Sequence, residues 1–438
     1  MPHATLTQHA EKPSRIKSAP FACQHVFTDV CDTVASQDIA SLKSFLMWKR
    51  RQVENAIAEA GSAGRLERSH LTALKKSLVQ TGSKAFLVYA NKLAKSWKFS
   101  RKDKSWCYKH SCLCKRWPAL GGQQRLHVEI AGTVCIGWAS IGKGWGWLGD
   151  SAVSIFVWIH MVKAIQPSLI LHECVPGFDV NELSSALGSG FEVQSLVFSP
   201  DDCGVPAERP RRYTLIHREA STQVIDKYTI DTFGSLCFRR VIADGNMFFV
   251  SDPQAVTIAL GEALRLAGKD PSAESWRGVL TVADRCRLEE HCTVAQADFA
   301  GVGHTIRMVN VTQNPDYTGS AGSIIPTLLR KTLIWRIARD EDGTPHRKLD
   351  RPMLPLEHLA AQGLPIPALL PDGHDLKLES PISNMLSLDV MIPSTLIAMV
   401  GNSMHVVALG SVLGFFFVDI NIQGLLQPAQ VLVSDLLG

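Results

Sequence analysis

The stretch from His127 to Arg218 constrains the fold most, because it alternates strand patterns with helix patterns. His127-Val-Glu-Ile-Ala-Gly-Thr-Val-Cys135 reads as a strand running into a tight loop of small residues. Asp150 to Ile165 places apolar side chains at Val153, Phe156, Val157, Ile159, Met161, Val162 and Ile165, which predicts a helix, and Pro167 stops it. Ser168 to Glu173 predicts a short buried strand, followed by a turn at Pro176-Gly177. Ser184 to Leu187 predicts a short helix, Phe191 to Phe198 a third strand and Tyr213 to His217 a fourth. Apolar strands spaced by helices predict an α/β domain with a doubly wound, mostly parallel sheet. Residues just past the carboxyl ends of such strands face the ligand crevice. Cys135 and Glu173 each stand at such an end. A sulfur nucleophile and an acid at neighbouring strand tips suit covalent catalysis.

Five segments then stand in order. They are Thr133-Val-Cys-Ile-Gly-Trp-Ala-Ser140 with Gly142-Lys-Gly144, His172-Glu-Cys-Val-Pro-Gly-Phe178, and Gly204-Val-Pro-Ala-Glu-Arg-Pro-Arg-Arg-Tyr213. The last two are Arg351 to Pro365 and Gly401-Asn-Ser-Met404. Together they resemble the Pro-Cys-Gln loop, the Glu-Asn-Val strand end, the Gln-x-Arg-x-Arg segment, the Glu-to-Gln-Gly-Phe-Pro segment and the Gly-Asn-Ser-Val signature of the cytosine-5 DNA methyltransferases. The resemblance covers roughly residues 126 to 418. It implies a fold like that of the S-adenosylmethionine-dependent methyltransferases, S-adenosyl-L-methionine as cofactor, DNA as partner and a nuclear location.

It also implies roles. Cys135 would add as thiolate to carbon 6 of a flipped cytosine, and Glu173 would hydrogen-bond and protonate ring nitrogen 3. Arg209 and Arg211 would share one face beside the base. Asp29, ending the strand pattern His25 to Val30, would lie near the cofactor adenine. Read as the preceding segment of the family, the same acid would bind the ribose. Asn402 and Ser403 would open a helix running to about Phe417 and touch the cofactor. The sequence departs from the family at Val134, Ile136, Cys174 and Ala207, where Pro, Gln, Asn and Gln are usual. The family's Asp-Leu-Phe-x-Gly-x-Gly turn has no counterpart upstream of Asp29, which implies a divergent or incomplete N-terminus. A second reading therefore stands beside the first: a catalytically inactive, methyltransferase-like nucleic-acid-binding protein, of mobile-element origin.

Charge is segregated along the chain. Residues 35–125 hold 19 Lys plus Arg against 5 Asp plus Glu, a net of +14 in a chain of net +4, so the remainder carries −10. Such a segment fits a polyanion such as a nucleic-acid backbone. Three helices are expected there, at Ser41 to Ala60, Ser69 to Gln80 and Ser83 to Trp97. Cys107, His110, Cys112 and Cys114 offer soft ligands, yet their spacing is tight for a tetrahedral zinc, and no metal is assigned. Trp145 and Trp147 suit either base stacking or the core. Met1 to Ala22 lacks an apolar signal-peptide core, and no membrane partner is expected. The expected division is a disordered start with a partial cofactor strand (1–34), a basic helical insertion (35–125) and a catalytic α/β domain (126–219). A mixed target-recognition region (220–385) and a C-terminal helix completing the catalytic domain (386–438) follow. Strands are expected at Tyr228 to Ile230 and Met247 to Val250, and a helix at Ala255 to Ala267.

Overall fold

The computed structural model describes residues 30–62, 67–99, 104–107, 111–115, 127–139, 144–219, 222–224, 229–271, 275–299, 306–315, 322–338, 344, 346, 349–364 and 393–422. Asp29, His110 and the strand pattern before Val30 lie outside these residues.

Helix α1 spans Ser36–Ser62 and buries Ile39, Leu42, Leu46 and Val53, all on one helical face. Helix α2 runs unbroken over Arg68–Ala94 and returns along α1. Two helices thus stand where the pattern suggested three. Gly82 reads as a helix stop but is a point of close approach. A Cβ there would stand 2.8 Å from Leu148 Cδ1, so glycine lets α2 press against the loop that carries Leu148. A short antiparallel hairpin follows, β1 (Lys104–Cys107) and β2 (Cys112–Lys115), with Cys107 opposite Cys112. Cys112 Sγ and Cys114 Sγ lie 3.7 Å apart, but no group of three or more candidate metal ligands occurs among the described residues.

The central sheet comprises β3 (Val128–Gly132), β4 (Leu169–Cys174), β5 (Phe191–Phe198) and β6 (Arg211–Arg218). Helix α3 (Ala152–Ile165) links β3 to β4, and α4 (Val180–Leu187), capped by the Asp179 carboxylate, leads from β4 to β5. The strand order is β3-β4-β6-β5. Only β3 and β4 pair in parallel, while β6 is antiparallel to both its neighbours. The expected mostly parallel sheet is therefore corrected to a small mixed one. The reason lies between Phe198 and Arg211. That link holds one short 3-10 turn and no crossover helix, and without a crossover the chain returns antiparallel.

Alternation along β4 and β6 divides the side chains between two layers. Ile170, Cys174 and Ile216 join α3 and, beyond it, the α1–α2 pair in one core. Phe86 of α2 meets Phe156 of α3 edge to face at 6.1 Å. Leu169, Leu171, Tyr213 and Leu215 face the other way. There they meet α5 (Ile230–Cys237) through Phe233 and a C-terminal helix through Ala408, Val412 and Phe415. Each large apolar side chain so buried stabilises the fold by about 1.5–3 kcal/mol.

Strand β7 (Thr222–Val224) precedes α5. Of the strand expected at Tyr228 to Ile230, Tyr228 lies outside the described residues, and Thr229 and Ile230 are instead a helix start, because Thr229 and Thr232 form a reciprocal cap that opens α5. The strand expected at Met247 to Val250 is a 3-10 turn over Gly245–Phe248, capped by Asp244. Helices α6 (Pro253–Leu266) and α7 (Val282–Phe299) follow. Strands β8 (Arg307–Asn310), β9 (Ile334–Ile337) and β10 (Arg351–Pro352) form an antiparallel sheet in the order β10-β9-β8. Helix α8 (Pro355–Ala361) leads to α9 (Pro393–Asn402), α10 (Val406–Asp419) and β11 (Ile420–Ile422), which pairs with β7. Ser394–Phe415 is long and apolar enough to cross a membrane by length and composition. It is nevertheless broken between Asn402 and Val406, and α10 packs on the sheet.

Candidate active site

Parallel pairing of β3 with β4 places Gly132 beside Glu173, so the residues that follow each strand emerge at one edge. Cys135 closes the β3 loop, and its carbonyl accepts the Trp138 N–H at 3.0 Å to start the 3-10 turn Ile136–Trp138. The other side of the loop is pinned by aromatic packing. Trp138 meets Trp147 at 5.3 Å and Phe178 at 4.9 Å. Trp147 is 1% exposed and Trp145 is also buried, so both tryptophans belong to the core and not to a stacking surface. Gly177 brings the loop after β4 against the loop after β3, since a Cβ there would stand 2.8 Å from the Trp138 carbonyl oxygen.

Glu173 is buried and its Oε1 lies 3.0 Å from Arg211 Nε. The register explains the pair. Glu173 stands opposite Tyr213, and Arg211 projects from the same face of β6 two residues earlier. Burial pushes the Glu173 carboxyl above its ordinary value, and the Arg211 and Arg209 charges pull it back only in part. The group is thus biased toward holding a proton.

Cys135 is shifted the other way, to about 7. A hydrogen bond from the Cys174 thiol contributes most, burial opposes it, and the Val175 N–H and the Arg211 charge assist. The Glu173 charge works against the thiolate. Behind this pair, Thr133 donates its hydroxyl to Cys174 Sγ at 3.9 Å. With its hydroxyl proton so directed, Thr133 Oγ1 accepts from His172 Nε2 at 2.7 Å. His172 is fully buried, stacks on Trp158 at 5.2 Å, and burial lowers it to about 3, so it is neutral.

Arg209 and Arg211 serve different partners. Arg209 is buried and spends its guanidinium on the carbonyls of Leu328 (2.8 Å), Gly401 (3.3 Å) and Ser403 (2.6 Å). It therefore ties the site to the α9–α10 turn, whereas Arg211 engages Glu173. Arg212, which sequence reasoning passed over, clamps the β4 loop through the Pro176 carbonyl at 2.7 and 3.0 Å. Its signal was the strand alternation that sends it to the face opposite Arg211. His172, Thr133 and Cys174 were likewise legible only as neighbours of the expected residues.

The turn after α9 sits over the strand ends. Gly132 leaves room for Met404, whose Cε would be 2.7 Å from a Cβ at that position. Asn402 ends α9 and is exposed; it does not open a helix, and the next helix begins at Val406. Gly401 sets the break, pressed against the Leu329–Arg330 backbone. The Ser403 hydroxyl donates to the Val400 carbonyl at 2.8 Å and accepts from Gln362 Nε2 at 3.3 Å. The start of α10 is also occupied, with the Val406 N–H on the Gln362 carbonyl at 2.9 Å and the Ala408 N–H on His405 Nδ1 at 3.4 Å. Among the described residues, then, Ser403 is engaged within the chain and Asn402 is exposed. Asp29 lies outside those residues.

No family model matches the sequence, and no curated protein matches it. Solved structures of methyltransferases align with the chain at low identity and at TM-scores below 0.5. The methyltransferase EhMeth of Entamoeba histolytica aligns at 12% identity and a TM-score of 0.38, over 67% of this chain and 77% of its own. The Dnmt2 methyltransferase of S. pombe aligns at 13% and 0.34, over 66% and 77%. The DNMT2 of Spodoptera frugiperda aligns at 14% and 0.31, over 66% and 79%.

Proposed function

We propose that this chain acts on cytosine in nucleic acid in the manner of a DNA (cytosine-5-)-methyltransferase, with Cys135 as the covalent nucleophile and Glu173 as the acid. One observation supports the reading above the others. Segments from five distant parts of the chain meet at one strand edge, and they are the five that resemble the family. Cys135 and Glu173 follow adjacent strands, Arg211 pairs with Glu173, Arg209 binds the Ser403 carbonyl, and Gln362 binds the Ser403 hydroxyl.

The residues divide the work on the base. Carbon 5 of cytosine is too electron-poor to take up a methyl group unaided. The Cys135 thiolate attacks carbon 6, and carbon 5 gains the electron density of an enamine. Glu173, whose burial favours its protonated form, donates to ring nitrogen 3 so that negative charge does not accumulate on the ring. Arg211 holds the Glu173 carboxyl in place. Once carbon 5 has accepted a methyl group, loss of its proton expels the thiolate. The base must leave the helical stack to reach both groups. S-adenosylmethionine is the methyl donor this reading implies. The roles of Cys135, Glu173 and Arg211 concern the base alone. Exposed lysines on and just after α2, including Lys76, Lys84, Lys92 and Lys95, supply positive charge for a DNA backbone.

A second reading, binding without methyl transfer, is favoured by one specific feature: the internal engagement of Ser403 and the occupied start of α10. Incubation of the purified chain with DNA and methyl-labelled S-adenosylmethionine separates the two. The first expects label on cytosine carbon 5, lost in Cys135→Ser. DNA retained in a binding assay with no label transferred would contradict it and leave the second.

A further inference from the structure

Cys174 stands directly after Glu173, and beyond favouring the Cys135 thiolate it has no part in the chemistry above. Its position is nonetheless specific. It points to the face of β4 opposite Glu173, toward His172 and α3, and is fully buried. Its thiol hydrogen-bonds the Cys135 sulfur, and the Val175 N–H is within hydrogen-bond reach of both sulfurs. Thr133 fixes Cys174 from the other side, its hydroxyl 3.9 Å from the sulfur. Cys135 packs against the same core that holds Cys174, and both are thiols in this structure. The loop bearing Cys135 is also open to small reagents. Cys135 itself is half-buried, and its neighbours Val134 and Ile136 are 59% and 66% exposed.

We propose that Cys135 and Cys174 form a peroxide-reactive pair, Cys135 being the site of oxidation and Cys174 the resolving thiol that closes an intramolecular disulfide. In the first step the Cys135 thiolate attacks one oxygen of a hydroperoxide. The O–O bond breaks, hydroxide or alkoxide leaves, and the sulfur is oxidised to a sulfenic acid as the peroxide is reduced. In the second step the Cys174 sulfur attacks the sulfenic sulfur. The S–S bond forms, the Cys174 proton joins the departing hydroxide, and water leaves. Two features favour this order. Cys135 has its acidity raised to near neutrality, which marks the peroxide-sensitive partner. Cys174 is held protonated by burial first and then by the bond and charge of Cys135, and the last two effects vanish once Cys135 is a neutral sulfenic acid.

The thiol chemistry stands whether or not the site transfers methyl groups. Its consequence, reversible capping of the nucleophile, rests on the function proposed above. The experiment reads the thiols alone. The folded full-length chain is treated with hydrogen peroxide at pH 7, blocked with N-ethylmaleimide without reductant, digested and mapped by mass spectrometry. The expected product is a disulfide joining the Cys135 and Cys174 peptides, opened by dithiothreitol. Cys135 is expected to oxidise at least tenfold faster than exposed Cys112 or Cys286 by the same mapping. In Cys174→Ser, dimedone is expected to trap the Cys135 sulfenic acid. Cys135 recovered from the wild-type chain as sulfinic acid, with Cys174 carrying maleimide, would overturn the proposal. So would oxidation of Cys135 no faster than that of the two exposed cysteines.

Discussion

At Cys135 the acidity of the sulfur is set before any substrate arrives, by Cys174, the Val175 N–H and Arg211 acting against burial and Glu173. Because its pKa is lowered to about 7, the thiolate fraction rises as pH increases through that value. The alkylation rate of Cys135 by iodoacetamide should therefore climb between pH 6 and 8 and then level, a window of about one unit either side of that pKa. Peptide mapping across a pH series checks this, and a rate still rising tenfold per unit above pH 8 would contradict it. Two substitutions should move the midpoint in opposite directions. Arg211→Leu removes a favourable charge and raises it. Glu173→Gln removes an opposing charge and lowers it, yet abolishes turnover because the proton for ring nitrogen 3 is gone. More thiolate with less activity is an outcome that a merely structural Glu173 would not produce.

Among the elements, glycines separate positions that the chain needs from those it tolerates. Gly401 is pressed against the Leu329–Arg330 backbone, which cannot rotate away. Gly401→Ala should cost about 1–3 kcal/mol or more by overpacking. Gly410, inside α10, has nothing within 4 Å of the position a methyl group would take, so Gly410→Ala should stabilise by about 0.5–1 kcal/mol. Urea titrations of both variants test the contrast. The Arg351–Glu357 pair that links β10 to α8 is buried and bidentate, at 2.7 and 2.8 Å. Removing either partner should cost about 3–5 kcal/mol. Burial alone would raise Glu357, but the Arg351 bonds and the Leu354 and Ser251 N–H groups outweigh it and hold the carboxyl below its ordinary 4.5. The folded value is the lower one. The stabilisation is thus complete above about pH 4.5 and is lost as pH falls through the folded value. Thermal melts from pH 6 to pH 3 should show Glu357→Gln losing less stability on acidification than the parent chain, a range chosen to bracket that ordinary value.

These elements also show what the sequence made legible. Phe191–Phe198 follows Gly188 and Gly190 and is closed by Ser199-Pro200, and it is a strand over the same residues. Helix α3 is apolar almost all round, because it is buried against the sheet on one side and α1 and α2 on the other. Gly82 misled for a tertiary reason, since its closeness to Leu148 involves a residue 66 positions away. Asn402 and Ser403 misled because an ordinary helix start and a helix end followed by a turn share residue types. Arg209 and Arg211 were legible as a pair, but the split of their partners depends on where α9 ends, which no local pattern records.

The molecule as a whole does not separate its basic segment from its candidate active site. Phe86, Leu42 and Leu46 share one core with Phe156 and Trp147, and Arg50 reaches the Leu148 carbonyl at 2.5 Å and pairs with Asp150. Deleting residues 36–99 should therefore unfold the α3 layer and not merely weaken nucleic-acid binding, as near-ultraviolet circular dichroism would report. Reversing charge at Lys76, Lys84, Lys92 and Lys95 should leave the melting temperature unchanged within about 2 °C. DNA affinity should fall, and the slope of log K against log salt should flatten by about 0.9 for each phosphate no longer neutralised. Addition of Cys135 to cytosine under the control of Glu173 needs no methyl donor. Once the thiolate is on carbon 6, carbon 5 can take a proton from water and release its own. The decisive measurement is therefore release of tritium from DNA carrying 5-tritiated cytosine, with no S-adenosylmethionine present. The parent chain should release tritium, and Cys135→Ser and Glu173→Gln should release none. Folded, DNA-bound protein that releases no more tritium than the Cys135→Ser variant would contradict covalent addition by Cys135.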